Sequence, residues 1–105
     1  MPQPIATLEL LGTTANRATF PVVVNIFAPV PDEEPCTFVC MVEVVPLHAT
    51  PFKIYGDGSL QSLALGMRHA IQMLATFVEH GGILAYSEGD VFDHTVYGFK
   101  LLGEN

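Results

Sequence analysis

The sequence predicts an α+β domain, a largely antiparallel sheet with one long helix packed on one face. Three observations carry that reading. Apolar residues alternate with period two through most of the first half of the chain. The apolar period then changes to three and four after Gly58. No repeat, low-complexity tract or linker divides the 105 residues, so 1–105 reads as one domain around one core. The expected order is β-β-β-β-α-β-β.

Ile5 to Leu11 is the first expected strand, ended by Gly12 and the polar run Thr13-Thr14-Ala15-Asn16. Thr19 to Ala28 is the second, with Phe20, Val22, Val24, Ile26 and Ala28 on one face and Asn25 on the other. Pro21 has no N–H for a ladder, which places that end at an edge or a bulge. Pro29 to Pro35, carrying Asp32, Glu33 and Glu34, reads as an exposed hairpin loop. Thr37 to Val45 is the third strand. Phe38, Cys40, Val42 and Val44 share one face, and Glu43 makes the face of Thr37, Val39 and Met41 partly wet. Phe52 to Tyr55 is a short fourth strand.

Gly56-Asp57-Gly58-Ser59 punctuates the chain before a helix expected from Ser59 to His80. Its stripe is Leu60, Leu63, Ala64, Met67, Ala70, Ile71, Leu74, Phe77 and Val78. Asp57 or Ser59 suits the N-cap, and Gly81 suits a left-handed terminator. Gly66 inside the helix costs about 1 kcal/mol against Ala unless something packs closely there. Ile83 to Tyr86 and Tyr97 to Leu102 complete the strands, with Glu88-Gly89-Asp90 as a turn between them.

Four Lys and Arg against eleven Asp and Glu give a net charge of −7, which argues against nucleic acid or an anionic membrane as partner. No stretch reaches the roughly 18 apolar residues of a membrane span. The nearest, 60–78, is broken by Gln61, Ser62, Arg68, His69 and Gln72. Met1-Pro2-Gln3-Pro4-Ile5 has no Lys or Arg and opens no apolar run, so it does not read as a secretory signal. The expected location is cytoplasmic. On one strand, Cys36 and Cys40 would lie about 13 Å apart, too far for a disulfide, so both thiols are expected reduced.

Chemistry-bearing residues form no recognised constellation. Cys40 alternates with strand apolars and reads as a core thiol, and Cys-x-x-x-Cys without a second pair is no metal frame. His48, His69, His80 and His94 are scattered, and His80 suits a helix C-terminus. Asp90-Val91-Phe92-Asp93-His94 is the only local cluster of ligand types, read as a solvated turn. Gly56-Asp57-Gly58-Ser59 lacks the Lys of a phosphate loop, and Asp57 would repel an anion. No Gly-x-Ser-x-Gly elbow occurs, and the acidic pairs fall in turns. No catalytic, cofactor-binding or metal residue is assigned.

Some apolar residues exceed what a single core uses. Leu65 and Met73 lie off the helix stripe among Arg68, His69, Gln72 and Thr76, and Val23 and Phe27 lie on the outer face of the second strand. Such residues call for a closed sheet or a covering partner. The expectation is a non-enzymatic protein-binding module, meeting a partner protein or itself as a homodimer. Val23, Phe27, Leu65 and Met73 would be buried, and Asp32, Glu33 and Glu34 would form the rim. An immunity-type protein that blocks a cognate toxin is its most concrete form, by analogy. The alternative is a small-ligand domain or small enzyme with a pocket between helix and sheet, taking polar groups from His69, Tyr55, Tyr86 or Tyr97.

Phe38-Val39-Cys40, Tyr55-Gly56-Asp57-Gly58-Ser59-Leu60-Gln61-Ser62-Leu63, Gly81-Gly82 and Gly98-Phe99 together resemble the bacterial family catalogued as domain of unknown function 6968. The resemblance spans most of the chain. It departs at Gly58, inserted between Asp57 and Ser59, and at Lys100, where the pattern has Pro. It implies a single domain of this size and fold. It carries over no catalytic residue, because the family has no assigned function.

Overall fold

The computed structural model describes residues 3–103. The strands are β1 (Pro4–Thr13), β2 (Thr19–Phe27), β3 (Val30–Pro31), β4 (Thr37–Val45), β5 (Phe52–Asp57) and β6 (Ile83–Ala85). Helix α1 (Gly58–Glu79) lies between β5 and β6, and a 3-10 turn spans His94–Tyr97. All strands join one antiparallel sheet running β6-β1-β2-β4-β5, with β3 beside β4. The α+β class and the single packed helix agree with the sequence reading.

Two elements correct it. The segment from Pro29 to Pro35 is not all loop, because Val30 and Pro31 pair with Val39 and Phe38. Ile26 pairs with Val42, so β3 resumes the line of β2 one register step later, after a break at Ala28-Pro29. Tyr97 to Leu102 is not a strand. Gly98 takes a left-handed φ of 76° after the 3-10 turn, and the chain continues irregularly with Phe99 half-buried and Leu101 buried. Alternating apolar residues there report side chains dropped onto the core, without a ladder.

Pro21 fits its position for a physical reason. It faces the side of β2 where β4 has already ended, since the β2–β4 pairing stops at Val23 and Val45. No ladder bond is lost there. Asp57 stands at the helix N-cap, but its side chain makes no cap bond. Its N–H instead donates to Gln61 Oε1 at 2.6 Å. At the other end Gly81 has φ 96°, Gly82 N–H donates to the Phe77 carbonyl, and the His80 ring bonds the Thr76 carbonyl at 2.8 Å.

Val22, Val24 and Ile26 of β2 and Cys40, Val42 and Val44 of β4 meet Ala70, Ile71 and Leu74 in the core. The buried stripe is shifted from the predicted one. Leu60 is 79% exposed and Val78 45%, while Ser62 is fully buried and Gly66 lies against the sheet. Small residues set the closest approach. A Cβ on Gly66 would stand 2.8 Å from Cys40 Sγ, and one on Gly56 2.6 Å from the Ser62 nitrogen. Both cysteines are free, but they do not share a strand: Cys36 is exposed in the turn before β4 with φ 64°, and Cys40 is buried in β4. Among the described residues no helix is long and apolar enough to cross a membrane.

Candidate functional site

The helix covers one face of the sheet, and among the described residues no element packs across the other. On the open face Thr7 Oγ1 donates to Asn25 Oδ1 at 3.0 Å, and Asn25 Nδ2 donates to Glu43 Oε1 at 3.2 Å. This polar row crosses three strands and separates two apolar groups. Val23 lies on one side with its ladder partner Val45, beside a depression of about 360 Å³ shared with Glu9, Leu11 and Pro21. Phe27 lies on the other side, on the face that also holds Val30, Val39, Met41 and Tyr55. Val30 is 50% exposed and Tyr55 51%, in a position where strand alternation turns them from the core. Asp32, Glu33 and Glu34 are all exposed in the turn that links β3 to β4, at this same end of the sheet.

The sequence-predicted contact residues are therefore only partly brought together. Phe27 joins the acidic turn, while Val23 is separated from it by the polar row. Leu65 and Met73 belong to the opposite layer. Leu65 borders a groove of about 230 Å³ with Ile54, Arg68, His69, Gln72 and Leu102, and Met73 packs against the core. One continuous patch of all four apolar residues does not form, because the helix and the outer face of the sheet look in opposite directions.

Between helix and sheet lies an apolar cavity of about 110 Å³, walled by Leu8, Val24, Ile26, Ile71, Tyr97 and Phe99. Of the polar side chains suggested by sequence for such a pocket, only Tyr97 reaches it. Burial foremost, and then Tyr86 nearby, push the Tyr97 hydroxyl's pKa up. Tyr86 packs on Phe92 and Tyr55 faces the open side. The cavity is small beside the ~300–1,000 Å³ of ordinary ligand pockets. Nothing in the sequence pattern pointed to Phe99 as a wall, because it sits in the irregular tail.

His69 lies in a ring stack. The Phe52 ring stands 4.2 Å from His69, edge-on, and 4.2 Å from His48, tilted. His69 Nε2 is buried without a hydrogen-bond partner among the described residues. Burial, with His48 as the lesser cause, holds its pKa below the ordinary imidazole value. Asp93 serves the backbone: its Oδ1 accepts from Thr95 N–H at 3.0 Å and from the Thr95 hydroxyl at 2.6 Å, which lowers its pKa. Asp90 lies in the preceding turn, bonding through its carbonyl to Tyr86 N–H. Among the described residues no three His, Cys, Asp or Glu side chains converge as metal ligands would. Compared with known proteins, the chain matches no family model, no curated protein and no solved structure.

Proposed function

We propose that this chain is a protein-binding module that meets its partner with the Phe27 end of the open sheet face. One observation carries the reading. A two-layer domain leaves one sheet face bare, and that face gathers Phe27, Val30, Val39, Met41 and Tyr55 beside the acidic turn 32–34. An apolar centre with a charged rim is the anatomy of a specific interface. The net charge of −7 favours a basic partner and speeds encounter with it. Blocking a basic toxin is one role of that kind, and homodimer formation is the version that needs no second protein.

The test is a tagged chain recovered from its native cell and sized by light scattering. Phe27→Glu should abolish the complex, whether hetero-complex or dimer, while the variant keeps its unfolding midpoint. Glu33→Lys should mainly slow association and flatten its salt dependence. A complex untouched by Phe27→Glu would exclude this face.

A further inference from the structure

We infer that the outer edge of β1 is a strand-addition site for an extended basic segment of a partner protein. This deepens the protein-binding reading and rests on it. Along β1, strand β6 reaches only Leu11, Gly12 and Thr13, and on its other side Ala85 bridges Val91. Among the described residues nothing pairs with the outer side of β1 from Pro4 to Leu10. The direction of the free groups follows from one bond. Phe92 N–H donates to the Leu84 carbonyl at 2.9 Å, so Leu84 turns its backbone away from β1. Alternation then aims Ile83 and Ala85 at Thr13 and Leu11, and carries on along β1 to Glu9 and Thr7. The N–H and C=O groups of Thr7 and Glu9 face outward. An unpaired row of this kind is a template for an extended chain. The opposite edge, β5, carries Lys53, whereas β1 has no lysine to guard it.

Side chains of an added strand would alternate between the two faces of the sheet. On the helix side they meet Ala6 and Leu8 at the mouth of the apolar cavity. Thr7 also borders that cavity, between Ala6 and Leu8 on the same strand. On the open side they meet Glu9, with Ser87 beside it and Glu88 and Asp90 in the same turn. No Lys or Arg stands on β1, β6 or that turn. The complementary segment therefore alternates apolar residues with Lys or Arg. A second copy fits less well, because residues 4–10 offer Glu9 and no cation, and it adds a further −7 of like charge.

The probe is a blocked peptide of about nine residues alternating lysine with valine, long enough for a strand of ordinary length. Amide exchange followed by NMR should show Thr7 and Glu9 slowed about tenfold or more in its presence. The same residues arranged in blocks, or glutamate in place of lysine, should give no protection. Thr7→Pro should abolish the effect, and the surface change Glu9→Lys should transfer the preference to the glutamate peptide without relying on a backbone change. Protection of the β1 edge should persist in Phe27→Glu, which separates this site from the open face. Absence of protection at Thr7 and Glu9, or shifts confined to the Phe27 group, would overturn the edge site. Protection that rises with protein concentration alone would assign the edge to a second copy and overturn the basic-segment inference.

Discussion

The helix meets the two halves of the sheet differently. Over β4 and the end of β5 the contact is close, although a groove opens beside Ile54: Gly66 lies against Cys40 and Val42, and Gly56 lies under the backbone of Ser62. Over β1 and β2 the helix stands off, and Tyr97 and Phe99 fill part of the gap beside the cavity. The difference shows that the smallest residues, rather than the largest apolar ones, decide where a helix seats. A Cβ-free position lets two backbones close up, and whatever lies farther along the helix is left with space. Tyr97 and Phe99 of the irregular tail occupy part of that space without joining a ladder.

Leu74 is fully buried in the core that both halves share, so it gives the largest expected effect. Leu74→Ala should destabilise the fold by about 2–5 kcal/mol, read from a denaturant melt. A change within the noise of the melt would break the placement of the helix on either half.

Single methyl groups sharpen the contrast. Gly66→Ala introduces a Cβ 2.8 Å from Cys40 Sγ and should cost about 1–3 kcal/mol, more than any gain in helix propensity returns. Ala6→Val adds more carbon, but at the exposed rim of the cavity, and should change stability by no more than about 0.5 kcal/mol. Equal penalties at the two positions would mean that the halves are packed alike.

Much of this architecture was legible in the chain. Period-two alternation placed Val22, Val24 and Ile26 with Cys40, Val42 and Val44 on one buried face, and the period change at Gly58 marked the helix. The helix stripe was less legible. Periodicity counts large apolar residues, and here Ser62 and Gly66 occupy buried positions while Leu60 projects outward. Close approach selects for small size, which hydropathy does not register. The open face was partly legible. Phe27 and the acidic turn could be read as neighbours, but the polar row of Thr7, Asn25 and Glu43 that isolates Val23 needs strand pairing and register, which no single strand's pattern contains. Leu65 and Met73 signalled a second surface only because a helix and an outer sheet face look alike as spare apolar residues.

The smallest expected effect is on the β4 and β5 side and depends on pH. His69 rests edge-on against Phe52, which also packs on His48, and shares a groove with Arg68. Burial first, and His48 second, keep its pKa below the ordinary 6.5. The unfolded chain has no such penalty and takes its proton at the ordinary value. As pH falls through 6.5 the unfolded state therefore binds more protons than the folded one, and stability drops. The drop ends once folded His69 also protonates, and above 6.5 the residue has no influence. Asp93 does not confuse the window. Its pKa is lowered from 3.8, so the stability it adds is present above that value and is lost only in stronger acid. Urea midpoints taken from about pH 7.5 to 5.5 should fall further for the wild type than for His69→Gln, which lacks the titrating ring. Parallel midpoint curves would show that the Phe52 stack bears no protonation penalty.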